Sequence, residues 1–288
     1  GYLTSYRHDG NGNRIASTCH ARALTDAQRA MLVAGGIASG WRPEPGSADG
    51  IQTWRYDLLD RVIASTDFSG TVTRNQYDSM GRLVQTTLAA GSSEERTQTR
   101  RHDLQGRLLA ELSGQGHAAL AALANPSTEQ VEAIWQQHAM RYQYDAAGRL
   151  LTRTDANGNR DVFYYDADGQ LLYAINAAGE VQAHQYNALG RELALTRHAT
   201  RLSAAQLASL QGGLIHGERN ADITALMASL TTPGADSTTT YRYDRAGRLL
   251  EITDALSQRI TSRYSVFGQL VGRTVIGTEN GDIIEQSR

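Results

Sequence analysis

The sequence predicts a mainly β fold: an antiparallel β-hairpin repeat meander, forming a curved sheet or the open part of a shell, with short helical insertions. Three observations carry that expectation. A Tyr-Asp pair recurs along the 288 residues with a spacing that resolves to 21 plus insertions. Each copy has a glycine three residues after the Asp and an aliphatic three residues after the glycine. A second, weaker turn follows ten residues after the first Asp, so each copy holds two strands.

The turn comes first in each copy. Strict pairs are Tyr56-Asp57, Tyr77-Asp78, Tyr144-Asp145, Tyr165-Asp166 and Tyr243-Asp244, and looser ones are His8-Asp9, His102-Asp103, Tyr186-Asn187 and Tyr264-Ser265. Gly12, Gly81, Gly106, Gly148, Gly169, Gly190, Gly247 and Gly268 stand at the fourth position, and only Asp60 departs. An Asp side chain bonds a following backbone N–H, and Gly accepts the left-handed conformation that closes a bulged hairpin. The scaffold positions are therefore Tyr56, Asp57, Tyr77, Asp78, Gly81, Tyr144, Asp145, Gly148, Tyr165, Asp166, Gly169, Tyr186, Gly190, Tyr243, Asp244, Gly247, Tyr264 and Gly268.

The strands come next. Ile15, Ile63, Val84, Leu109, Leu151, Leu172, Leu193, Leu250 and Val271 mark a recurring buried position in the strand that leaves the turn. Thr66-Asp67-Phe68-Ser69-Gly70 and Thr154-Asp155-Ala156-Asn157-Gly158 are second turns, and in Thr253-Asp254-Ala255-Leu256-Ser257 a serine replaces the glycine. Segments such as Arg149-Leu150-Leu151-Thr152-Arg153-Thr154 place apolar groups on both faces, which favours a sheet with two partly polar faces. The tyrosines should form a stacked row along it. The recurring arginines at 61, 82, 107, 149, 191 and 248 should pair with carboxylates along the sheet.

The array spans residues 1–288, with helical insertions at about 19–53, 113–140 and 197–239. Thr25-Asp26-Ala27-Gln28, Ser127-Thr128-Glu129-Gln130 and Ser203-Ala204-Ala205-Gln206 are capping-box sequences. After Ser127, the residues Val131, Ile134, Trp135 and His138 make one apolar stripe. A further helix is expected over Ala221–Leu230. All these segments leave the array near the second turn, so the helices should decorate one edge of the sheet.

Composition narrows the function. The formal net charge is −2, without the basic excess that nucleic acids or anionic membranes attract. No apolar run approaches the ~20 residues that span a bilayer, and the opening Gly1-Tyr2-Leu3-Thr4 has no leader-like pattern, as expected of an excised piece. A single cysteine, Cys19, excludes an intrachain disulfide and a cysteine zinc site. No metalloprotease, phosphate-loop, dinucleotide or nucleophile-elbow motif occurs, and the eight histidines show no metal-ligand spacing. His8 and His102 stand in for the repeat tyrosine as packed rings or turn residues. The turn carboxylates lie too far apart in sequence to converge on a calcium ion, and no cofactor is expected.

The stretch Tyr142-Gln143-Tyr144-Asp145-Ala146-Ala147-Gly148-Arg149-Leu150-Leu151-Thr152-Arg153-Thr154-Asp155-Ala156-Asn157-Gly158 resembles the YD repeat of the Rhs family, whose relatives include the Tc toxin B and C components and the teneurins. That resemblance implies a hollow β-shell, often around a C-terminal toxin, in a secreted or cell-surface bacterial protein. It implies a non-catalytic length of wall whose partners are other segments of the parent protein and an enclosed toxin or other cargo. The Asp-Pro-rich segment through which many such shells cleave themselves does not occur here. The alternative is a carbohydrate-binding adhesive module that takes a glycan on its Tyr and Arg rows or its helical rim. Either way, unpaired end strands invite self-association through open sheet edges.

Overall fold

The computed structural model describes residues 2–33, 46–215, 223–279 and 282–287. The chain divides into two compact units, Gly1–Ala139 and Met140–Arg288.

In the first unit, β1 (Thr4–His8) and β2 (Arg14–Cys19), β3 (Gly50–Tyr56) and β4 (Val62–Thr66), β5 (Val72–Tyr77) and β6 (Leu83–Leu88), and β7 (Arg96–His102) and β8 (Leu108–Leu112) are Tyr-Asp-type hairpins. Each strand pairs antiparallel with the next in chain order. The second unit repeats the plan. Its hairpins are β9 (Ala139–Tyr144) with β10 (Leu150–Thr154), β11 (Arg160–Tyr165) with β12 (Leu171–Ile175), and β13 (Val181–Tyr186) with β14 (Glu192–Arg197). One short strand, β15 (Gly213–Leu214), then runs parallel to β11. The hairpins resume as β16 (Ser237–Tyr243) with β17 (Leu249–Thr253) and β18 (Arg259–Tyr264) with β19 (Leu270–Glu279), and β20 (Asp282–Ser287) pairs with β19.

The turn chemistry explains the hairpins. In the second hairpin the Asp57 N–H donates to Arg61 C=O (3.0 Å) and the Asp60 N–H to Asp57 C=O (3.2 Å). The other Tyr-Asp turns repeat this pair of bonds, as do second turns such as Asp67–Thr71 and Asp155–Asn159. Where sequence gives glycine at the fourth position, φ is positive: 82° at Gly81 and 86° at Gly148. Asp60 adopts the same conformation at 57°, and Ser257 at 62°, without a glycine's freedom. Asn11 and Asn13 of the neighbouring turn both donate to Asp60 Oδ1, which helps to hold it there. In nearly every such hairpin the register shifts immediately before the Tyr or His, as between Arg55 and Tyr56. This is a β-bulge, and it re-aims the aromatic side chain.

Among the described residues, the helices all lie in connections at the second-turn end. These are α1 (Asp26–Val33) after β2, α2 (Gly114–Ala121) and α3 (Thr128–His138) after β8, and α4 (Ala204–Ser209) and α5 (Ile223–Ser229) after β14. Reciprocal capping bonds form at Thr25/Gln28, Ser127/Gln130 and Ser203/Gln206. The last helix begins at Ile223, and Ala221 lies outside the described residues. Helix α2 has no start signal, since Ser113 makes no side-chain capping bond. A Cβ at Gly116 would sit 2.7 Å from Leu112 and 2.8 Å from His138, so glycine is what lets α2 close on β8 and α3.

Two cores result. In the first unit Ala110 and Leu112 pack with Trp135 and Ala139, with Val131 and Ile134 against them. In the second, Val162, Tyr164, Ile175 and Val181 from β11–β13 pack beneath Leu202, Leu210, Ile215, Ile223, Met227 and Leu230 of the insertion. Burying a side chain of this size contributes about 1.5–3 kcal/mol. Elsewhere the strands are half-buried on both faces, as in β4 and β17.

Candidate functional site

The polar residues of the repeat converge on the Tyr-Asp turns, and one turn shows the arrangement. Asp57 Oδ1 accepts the N–H groups of Leu59 (2.9 Å) and Arg61 (3.0 Å), while Oδ2 accepts Arg61 Nε (2.7 Å). The locked guanidinium lies 4.6 Å from the centre of the Tyr77 ring, in the next hairpin. The Tyr77 hydroxyl donates to the carbonyl of Val62, the residue after that arginine, at 2.9 Å. Arg61 also lies under the next turn, 3.3 Å from where a Cβ on Gly81 would stand.

The geometry needs all three residue types. Strands β4 and β5 pair only from Ala64 to Thr66 and from Val72 to Arg74, so they part toward the Tyr-Asp end. A tyrosine is long enough to cross that gap and carries a donor at its tip. An arginine has a flat face for the ring and a fork for the carboxylate. The Asp holds that fork in place.

The same set recurs. Arg82, Arg107, Arg149 and Arg248 each donate Nε to the Asp four residues earlier, at 2.5–2.6 Å. Arg149 lies over Tyr165, Arg191 over Tyr243 and Arg248 over Tyr264, 5.0–5.9 Å from the ring centres. Tyr56, Tyr165, Tyr186 and Tyr264 donate to the carbonyls of Arg14, Leu150, Leu171 and Leu249 at 2.9–3.0 Å. Arg82 reaches further, to the Asp103 carbonyl at 2.5 Å. Tyr144, Asp166, Gly169, Gly190, Gly247 and Gly268 occupy the corresponding places in their own turns, the glycines with φ between 74° and 87°.

Asp57, Asp78, Asp103, Asp145 and Asp244 titrate low. For Asp57 the first cause is the Arg61 side-chain bond; for Asp78 and Asp244 it is the backbone N–H of Arg82 and of Arg248. At Asp103 and Asp145 burial pushes the other way, but the bonds from Arg107 and Arg149 prevail. Burial raises the Tyr165 and Tyr186 phenols.

Two expectations change. The tyrosines do not stack on one another, because successive copies lie two strands apart, about 9.5 Å, beyond the reach of ring stacking. A guanidinium fills the space. For Arg61, Arg82, Arg107, Arg149 and Arg248 the principal carboxylate is that of the arginine's own turn, four residues back, rather than one along the sheet.

One constellation escaped the sequence analysis. His20 Nδ1 lies 3.1 Å from Asp49 Oδ2, and Asp49 also accepts the N–H groups of Ala21 and Gly46. His198 Nδ1 lies 3.2 Å from Asp236 Oδ2, and Asp236 accepts the N–H groups of Ala199 and Thr232. Both pairs are buried and clasp the ends of an insertion. The signal was present as His20-Ala21 and His198-Ala199, each with a Pro-Gly sequence shortly before the matching Asp. Among the described residues no group of three or more His, Cys, Asp or Glu could hold a metal ion.

Comparison with known proteins agrees with the repeat. The RHS Repeat family model matches residues 56–93, 136–160, 226–259 and 243–281, so the chain carries RHS repeats. No curated protein sequence matches it. Similar solved structures include the crystal structures of TcdB2-TccC3-TEV and TcdB2-TccC3, and the Photorhabdus luminescens Tc holotoxin pore. In each, identity is 17%, 98% of this chain is covered and the TM-score is 0.36. The chain spans 16% of the length of those chains.

Proposed function

We propose that this RHS-repeat chain is a non-catalytic structural length of a larger protein, part of a β-wall that encloses a toxin or other cargo. The observation that carries this reading is where the repeat spends its polar groups. In turns such as Asp57–Arg61 the Asp and Arg bond to each other and the Arg meets the Tyr of the next hairpin, so they tie strands together instead of facing a ligand. A wall acts by exclusion: hydrogen-bonded strands offer a protease no extended backbone, and whatever they surround is kept from solvent. The scaffold residues named above then have a mechanical role. Partners are other segments of the parent protein and the cargo. The location is extracellular or at the cell surface, in keeping with the family; no described helix is long and apolar enough to cross a membrane.

The glycan-binding alternative requires open rows of Tyr and Arg. Half-buried rings beneath locked guanidinium groups favour the wall. Limited proteolysis of the intact parent protein under native conditions, with mass spectrometry of the fragments, tests it. A segment outside the repeats that survives until the wall is denatured is the expected result. Immediate digestion of everything outside the repeats would remove the enclosed cargo and leave glycan binding as the better account.

A further inference from the structure

The His20–Asp49 and His198–Asp236 clasps are one local structure with a single telling difference. Residues 3–20 and 181–198 align without a gap at an offset of 178, so Gly12, Ala16, Thr18 and His20 recur as Gly190, Ala194, Thr196 and His198. The backbone agrees: the His20 N–H donates to Leu3 C=O and the His198 N–H to Val181 C=O, both at 3.0 Å. In the first copy the other ring nitrogen, His20 Nε2, is bonded to Ser5 Oγ at 2.9 Å. In the second copy Ala183 stands in the place of that serine. Among the described residues His198 Nε2 therefore has no hydrogen-bond partner, although the His198 side chain is only 6% exposed. Buried polar groups are rarely left in that state.

His198 and Ala183 both line a cavity of about 450 Å³ between the sheet and the insertion that follows β14. Its floor is one face of four strands: Tyr173 of β12 lies opposite Ala183 of β13, Ala183 opposite Thr196 of β14, and Thr196 opposite Thr238 of β16. Each of these strands is paired on both sides. Thr224, Met227 and Ala228 of α5 line the cavity from the insertion. Thr196 and Thr238 bond to each other at 3.0 Å. Asp236 is taken up by the N–H groups of Ala199 and Thr232 and by His198 Nδ1. The Tyr173 phenol is raised by burial alone, and its hydroxyl has no partner among the described residues.

The clasp fixes what His198 can take. The Ala199 N–H holds the Asp236 carboxyl below its usual range, so the carboxylate is ionised and accepts the Nδ1 proton. The neutral imidazole then presents an Nε2 lone pair, which calls for a hydrogen-bond donor. An anion brings no such proton. We propose that this cavity binds a small uncharged phenol, whose hydroxyl donates to His198 Nε2 in the place that Ser5 fills in the first copy. The rest of the lining selects the ring. The Met227 thioether and the Tyr173 ring both favour an aromatic neighbour, and the volume is about three times the ~150 Å³ that holds a benzene. The free Tyr173 hydroxyl supplies a donor for the phenol oxygen. This site is separate from the Asp–Arg–Tyr turns and goes beyond the wall's work of exclusion.

Met227 is 2% exposed and lines the cavity, so its isotope-labelled methyl group, with the His198 ring, reports occupancy by NMR in the full chain. The probe is 4-methylphenol; toluene has the same shape without the hydroxyl, and 4-methylbenzoate carries a charge and no donor. The expected result is a saturable shift of both signals by 4-methylphenol, with binding at least about tenfold weaker for the other two. Ala183→Ser gives His198 the partner that Ser5 gives His20. It should weaken 4-methylphenol binding at least about tenfold while the bonded Leu202 and Leu210 amides stay protected from exchange. No saturable shift in the unaltered chain overturns the proposal, as do equal binding of toluene or 4-methylbenzoate and full affinity in the serine variant. Should the serine disturb those amides, Tyr173→Phe removes the second bond instead and should weaken binding severalfold. Unchanged affinity there also overturns it.

Discussion

Two adjacent turns of the second unit separate what the aspartate does from what the arginine does. In Asp145–Arg149, Asp145 takes the backbone N–H of Arg149 at 2.9 Å and its Nε at 2.6 Å, and the guanidinium covers Tyr165. In Asp166–Gln170 the backbone bond persists at 2.8 Å, yet the Gln170 Oε1 is buried without a partner. Tyr186 meets no arginine there; its ring stacks near His184, with centroids 6.3 Å apart. Both turns close and both following tyrosines reach their carbonyl, at Leu150 and Leu171. The aspartate and the left-handed fourth residue therefore make the hairpin, and the arginine couples one hairpin to the next.

Acid should break the arrangement most broadly. Asp57, Asp78, Asp103, Asp145 and Asp244 all titrate below their ordinary value of 3.8 in the folded chain. A carboxylate lowered by folding contributes stability that is present above the unfolded value and lost as pH falls through the folded one. Circular dichroism against pH should show the fold intact above 3.8 and progressively lost below it. An acid transition that leaves the hairpins untouched would contradict the lock.

Asp145→Ala should have the next largest effect. It removes the side-chain acceptor of the Arg149 backbone N–H and the ion pair together, for about 1–2 kcal/mol in urea unfolding, with the ionic part reduced by solvent screening. Arg149→Gln converts the first turn into the second kind and should cost about 1 kcal/mol, with faster amide exchange in β11 but not in the turn itself. Equal loss in both places would mean that the arginine shapes the turn. Tyr165→Phe and Tyr186→Phe remove the same hydroxyl bond in the two settings and should each cost about 1 kcal/mol. A clear inequality would show that the guanidinium strengthens that bond. Smallest of all, Gln170→Arg should stabilise by about 0.5 kcal/mol, since it supplies the missing fork over Tyr186.

Much of this was legible in the sequence because it is local. Asp57 and Arg61 are four residues apart, Gly81 closes its own turn, and Ser127 with Gln130 cap one helix. Such contacts follow from spacing alone. Helix α2 was not legible: it has no cap, and Gly116 is explained only by Leu112 and His138 beside it. The His20–Asp49 and His198–Asp236 clasps join residues 29 and 38 apart, across insertions of different length, so no fixed period reveals them.

The sequence by itself determined the hairpin, its period, the turn conformation and the places where helices interrupt the array, because each depends on backbone preferences and bonds within a few residues. Tertiary structure alone decided what the polar rows are for. The strands part at the Tyr-Asp end, and only then does the distance between one arginine and the next tyrosine become a contact.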